Sequence, residues 1–354
     1  MVQLRHGGAR GHGVGPCEAQ AGLERGAHGV SKATGKKTYY RTAADFTQRS
    51  NTAEAGDMGL MDTISKWLDR LQRQAARPGT FIDGNFAAPA GARTYKVYVP
   101  AAVQDGRGAV PLVVMLHGCT QHPEDFARGT RMNELADEHG FVVVYPAQSE
   151  QANPQRCWNW FSALDQKRDE GEPSIIAGIA REVMGRYRID AGRVYVAGMS
   201  AGGAMAVIMG TLYPDLFAAV GVHSGLPFAA ADDLPTALAA MKGSFARPRP
   251  AGTPLPVIVF HGDEDKMVHP VNAAEVIAQT AHAAMDKDSA PGEGGGRRYT
   301  RTVHRRGDAV PFAEHWLVHG LGHAWSGGDP AGSHTDAAGP SASREMLRFF
   351  STAR

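Results

Sequence analysis

The sequence predicts an α/β protein with a mostly parallel sheet flanked by helices, and three observations carry that prediction. From about residue 79 onward, apolar runs of strand length alternate with stretches of helical periodicity. Such alternation builds βαβ units whose crossovers cover both faces of a parallel sheet. Two of the runs, "AVPLVVMLHG" and "PLPVIVFHG", are almost continuously apolar, as a strand covered on both faces should be. In a third, "RVYVAGMSAGGAMAVIM" (193–209), a strand-like alternation runs through a serine set between glycines straight into a helix.

Residues 1–57 are rich in Gly, Arg, His and Ala and show neither helical nor strand periodicity. That composition buries too little apolar surface to order itself, so a disordered tail is expected, with Met58 or Met61 each a sensible start. Residues 58–78 are expected to form an amphipathic helix and a linker. In "MDTISKWLDRLQRQAAR", Ile64, Trp67, Leu68, Leu71 and Ala75 share one side, and that side is expected to dock on its own domain. Residues 79–354 are expected to be a single folded domain.

Within that domain, strands are expected from "TFIDGNF" onward and at "ARTYKVYVP", "AVPLVVMLHG" and "FVVVYPAQ", with a helix at "TRMNELADEHG" ending on Gly140. A helix at "SIIAGIAREVMGRY" leads to the strand "RVYVAGMS", the helix "AGGAMAVIMGTLY" and the strands "AAVGVHSG" and "PLPVIVFHG". Only residues 226–255 separate those last two strands, so no large lid is expected. "DKDSAPGEGGGRR" is expected to be a flexible Gly-rich turn; with no strand leading in and no helix following, it lacks the context of a phosphate loop. "RRYTRTVHR" and "AEHWLVHG" form an expected strand pair, and "PSASREMLRFF" a final helix that turns Leu347, Phe349 or Phe350 inward.

Composition excludes several classes of function. With 37 Lys+Arg against 36 Asp+Glu, the net charge of +1 creates no field that would gather nucleic acid or anionic lipid. There is no run of about 18 apolar residues to span a membrane, and the N-terminus lacks the apolar core of a signal peptide. Three cysteines, Cys17, Cys119 and Cys157, are too few for a disulfide scaffold and lack zinc-site spacing, which leaves room for one bridge. No metal, nucleotide or other cofactor is implied.

The chemistry is carried by GMSAG. A serine at the tip of a strand-to-helix turn needs a strained backbone, and side chains two positions away on either side would strike the helix and the adjoining strand, so Gly198 and Gly202 fit the positions around a nucleophilic Ser200. A hydroxyl needs a base and an orienting carboxylate, which in α/β-hydrolases follow in the order Ser, acid, His. "HGDEDKMVHP" offers Asp263 and Asp265; Asp265, farther into the loop, is the expected triad acid, and Asp263 the expected turn cap. "HGLGHAWSGG" offers His319 and His323; His323, between loop glycines, is the expected base, and His319 a packed strand-end residue. The amides of Ala201 and Cys119 are the expected oxyanion donors, with His117 structural. Trp158, Trp160 and Trp325 are candidates for lining a substrate cleft, with a place in the core an equal alternative for Trp158 and Trp160 and the site favoured for Trp325, two residues past the base.

"YKVYVP", "LHGCTQ", "ELADEHGFVVVYPAQ", "CWNWF", "GMSAGGAM", "HSGLPF", "HGDED" and "GHAWSGG" together resemble the type 1 catalytic domain of short-chain polyhydroxyalkanoate depolymerases, a group similar to feruloyl and acetylxylan esterases. The resemblance spans residue 79 to the C-terminus. It implies an α/β-hydrolase fold and ester hydrolysis by Ser200, Asp265 and His323 on poly(3-hydroxybutyrate) or its oligomers, or alternatively on feruloyl or acetyl esters of plant polysaccharide. It also implies a Cys119–Cys157 disulfide and an extracellular setting, although no signal peptide is expected from the N-terminal residues of this sequence. The chain stops soon after the last helix, so a separate polymer-binding module is not expected. An acyltransferase, or a non-catalytic binder on the same scaffold, would share these motifs.

Overall fold

In a computed structural model, residues 78–353 are described, apart from 105, 107, 245–252, 282–284, 306, 308 and 309. The expected tail and amphipathic helix lie outside the described residues. Ten strands form one sheet: β1 (Thr80–Ala88), β2 (Gly91–Val99), β3 (Val110–Leu116), β4 (Val142–Pro146), β5 (Ile189–Met199), β6 (Ala219–His223), β7 (Val257–Gly262), β8 (Asp286–Gly294), β9 (Arg297–Arg305) and β10 (Pro311–Val318). Their spatial order is β1-β2-β4-β3-β5-β6-β7-β10-β9-β8. The strands from β4 to β10 in that order run parallel, and β1 and β2 at one edge and β9 and β8 at the other are joined antiparallel.

The alternation of side chains along each strand divides the core into two layers. Leu112, Val114, Val194, Val196, Val257 and Val259 face the helices α3 (Gly171–Arg186), α4 (Ala201–Leu212), α5 (Leu234–Met241) and α6 (Val271–Thr280). Their sequence neighbours Val113, Met115, Tyr195, Ile258 and Phe260 face α1 (Pro123–Thr130), α2 (Met132–His139) and α7 (Ala342–Thr352). With helices on both faces, this is the α/β-hydrolase architecture. In α7, Met346, Phe349 and Phe350 are buried and Leu347 only partly so. Ser341 caps the helix by accepting from Arg344 N–H.

One expectation is corrected. The stretch read as a flexible turn, 286–298, is mostly strand: β8 pairs with β9 over nine residues, and the turn is confined to Gly295 and Gly296 at φ 56° and 84°. Two consecutive positive φ values define a tight hairpin turn that glycine alone adopts without strain. Propensity pointed the other way because Asp, Gly and Pro dominate β8; on an edge strand, Pro291 needs no N–H partner on its open side. Between β6 and β7, α5 is the sole helix among the described residues.

Phe350 stacks on Tyr195 at 4.7 Å with the rings 5° from parallel and is 1% exposed. Phe350→Ala is expected to lower unfolding free energy by about 3–5 kcal/mol in urea titrations, and a loss below about 1 kcal/mol would show that α7 is not part of the cooperative core.

Candidate active site

Parallel strands put the loops after β3, β5, β7 and β10 on one rim, the edge where open α/β sheets hold their ligands. Ser200 follows β5 and opens α4 with φ 56° and ψ −121°, a strained conformation for a residue with a Cβ. What permits this turn is its neighbours' lack of side chains. A Cβ on Gly202 would lie 2.1 Å from Leu116 O and 2.5 Å from His117 O, and one on Gly198 would lie 2.2 Å from Gly202 O. The start of α4 thus rests directly on the backbone that leaves β3. Ser200 N–H donates to His223 O at 2.9 Å, while its hydroxyl makes no hydrogen bond among the described residues.

Asp265 and His323 meet. His323 Nδ1 lies 2.6 Å from Asp265 Oδ2, so the ring carries its proton on Nδ1 and leaves Nε2 as the basic nitrogen. The other carboxylate oxygen accepts the Met267 and Val268 N–H groups, both at 2.9 Å. Burial drives the Asp265 carboxyl upward, but bonds from His261, His323 and the Val268 amide outweigh it and hold the group well below the usual carboxylate range. An ionised carboxylate against Nδ1 stabilises an imidazolium forming on the same ring. Gly262 brings the two loops together: a Cβ there would lie 2.0 Å from Leu321 O.

Asp263 bonds His319 Nδ1 at 2.7 Å and accepts Gly320 N–H at 2.7 Å, which pins the loop leading to His323. His319 is half-exposed rather than packed in the core, and its Nε2 sits 3.0 Å from Thr300 Oγ1. His117 is 1% exposed. Its Nδ1 bonds Gly118 O at 2.8 Å and its Nε2 accepts Gln148 N–H at 3.0 Å. The N–H groups of Cys119 and Ala201 make no hydrogen bond among the described residues. Cys119 and Cys157 are joined by a disulfide across 38 residues.

The three tryptophans do not line a cleft. Trp158, Trp325 and Trp160 are 0%, 1% and 6% exposed, so their rings have no surface to offer a substrate. Trp158 packs against His117 with ring centres 5.7 Å apart. Trp325 lies on His223 at 5.1 Å, meets the edge of Phe126 and donates to Ser343 Oγ. They are core residues beneath the rim, where an indole buries its large apolar area. His223 was not foreseen as part of the site. It is fully buried, accepts Ser326 N–H at 3.0 Å, and so ties the loop after His323 to the carbonyl that holds Ser200 N–H. Its sequence signal is weak, since a histidine ending an apolar strand has no distinctive spacing.

A sequence profile described as Esterase PHB depolymerase matches residues 93–298. The chain belongs to this family. It is 33% identical over 229 residues to a poly(3-hydroxyalkanoate) depolymerase C of Paucimonas lemoignei, covering 60% of this chain and 54% of that protein. The chain therefore spans about half the length of that relative. It is 28% identical over 259 residues to a feruloyl esterase B of Neurospora crassa, covering 68% and 82%. An acetyl xylan esterase from Aspergillus awamori has the same fold, with a TM-score of 0.58 at 19% identity over 77% of this chain and all of that one.

Two outcomes follow from this geometry. The chain-entropy cost removed by a 38-residue closure corresponds to about 4 kcal/mol, so reduction with dithiothreitol is expected to lower stability by up to that amount; unchanged melting on reduction would show that the bridge contributes nothing. Burial pushes His117 down to about 4 and His223 down to about 3, so the fold holds both neutral. The unfolded chain takes up those protons near pH 6.5, so their contribution is complete above about pH 6.5 and is lost as pH falls toward 4. Melting temperature is expected to drop between pH 7 and 5, and equal values would refute this.

Proposed function

We propose that this family member hydrolyses poly(3-hydroxybutyrate) or its oligomers through an acyl-enzyme on Ser200. The observation that carries the reading is the Asp265–His323 pair, an oriented imidazole with a free Nε2 on the rim that also holds an unengaged hydroxyl on a strained elbow. His323 Nε2 takes the Ser200 proton as Oγ attacks the ester carbonyl carbon. The Cys119 and Ala201 amides donate to the oxyanion. Collapse breaks the ester C–O bond, His323 gives its proton to the departing hydroxyl group, and a water activated by the same nitrogen releases the acid and restores Ser200.

The hydroxyalkanoate assignment is supported by the family profile and by the 33% identity to the Paucimonas lemoignei depolymerase. The competing assignment, feruloyl or acetyl esters of plant polysaccharide, is supported by the longer match to the Neurospora crassa feruloyl esterase. A panel of 3-hydroxybutyrate oligomers, methyl ferulate and acetylated xylan separates them. Turnover of the oligomers is expected, and turnover of methyl ferulate alone would overturn the assignment. Ser200→Ala is expected to lower kcat by roughly 10³-fold or more, and Asp265→Asn by about 10⁴-fold through loss of the productive tautomer. Wild-type kcat in either variant would sink the mechanism.

A further inference from the structure

We infer that His117 and Gln148 are positioning residues for the Cys119 amide; the inference rests on the reading of that amide as an oxyanion donor. In a trans peptide the C=O and N–H lie in one plane and point in opposite directions. Whatever grips the Gly118 carbonyl therefore also aims the Cys119 N–H. His117 does so through Nδ1–H, 2.8 Å from Gly118 O. The proton stands on Nδ1 because Nε2 is engaged as an acceptor by the Gln148 backbone N–H at 3.0 Å.

The Gln148 side chain reaches Cys119 by a second route. Its Oε1 accepts from Arg93 Nε and from Ser149 N–H, both at 2.9 Å. Two pure donors on that oxygen orient the amide, turning Nε2 toward acceptors: Cys157 O at 2.9 Å and the Glu172 carboxylate. Cys157 is bonded to Cys119, and Glu172 in turn accepts Asn159 N–H at 2.8 Å. Residue 148 thus holds Cys119 through the peptide before it and through its own side chain. His117, Gln148 and Glu172 are 1%, 4% and 4% exposed, so water does not compete for these bonds. Neither positioning residue touches the ester; both act through the amide.

The test measures kcat and KM for p-nitrophenyl butyrate on the full chain carrying His117→Leu, His117→Asn or Gln148→Met. His117→Leu is expected to lower kcat roughly 10- to 100-fold, somewhat less than outright loss of an oxyanion donor, with KM within about threefold. His117→Asn places an amide N–H where Nδ1 stood, and is expected to recover most of that loss although it too lacks the acceptor for Gln148 N–H. Equal kcat in the two His117 variants, or wild-type kcat in His117→Leu, would overturn the inference. If His117→Leu does not fold, Gln148→Met decides: a kcat about tenfold lower at unchanged KM is expected, and wild-type kcat overturns it. Failure of a fluorophosphonate to label Ser200 in the wild type would overturn the reading of the site and the inference with it. Labelling with unaltered variants overturns the inference alone.

Discussion

The rim is organised around a contact in which no side chain takes part: the backbone of Gly202 resting on the carbonyls of Leu116 and His117. Strands β3 and β5 are hydrogen-bonded neighbours, and Leu116 pairs with Gly198. For the helix after β5 to turn back over the sheet, its first turn must pass over the end of β3 at backbone distance. Nothing larger than hydrogen fits there. The same approach brings the unengaged amide of Ala201 and the loop holding Cys119 to the same end of the sheet. One steric condition therefore lifts the hydroxyl and draws the two candidate donors together.

Electrostatics then distinguishes one histidine from its neighbours. His117 and His223 are buried and bonded to backbone groups, and desolvation keeps them neutral across ordinary pH. His261 donates to Val268 O from the nitrogen that also lies 3.4 Å from Asp265. His319 has a carboxylate on Nδ1, but its Nε2 is taken up by Thr300. His323 combines an ionised carboxylate on Nδ1 with an Nε2 that makes no hydrogen bond among the described residues. A ring held in this way can accept and return a proton, whereas the others serve as fixed struts.

Where sequence reading went astray, it did so for physical reasons. Trp158, Trp160 and Trp325 were candidates for a cleft because an aromatic ring suits a substrate surface and a core alike. In the fold, all three indoles are buried in the core. The strand β8 was missed because a Gly- and Pro-containing stretch has poor strand propensity by itself; pairing with all of β9 supplies what propensity lacks.

From the sequence alone come the α/β fold class, the central strands, the elbow around Ser200 and the expectation that Asp265 and His323 work as a pair, whereas α1, α5, α6 and β8 were not read from it. Fold class, strands, elbow and pair depend on local periodicity and on motifs a few residues long, which the chain carries wherever it folds. Only the tertiary structure decided that His223 and the His117–Gln148–Glu172 network lie beneath the rim, that the tryptophans are buried, and that Asp263 pins the loop of His323. Each of those facts depends on residues far apart in sequence becoming neighbours, such as Ser326 and His223, 103 positions apart. No local pattern encodes such a meeting, because it is set by the packing of the whole sheet and its helices.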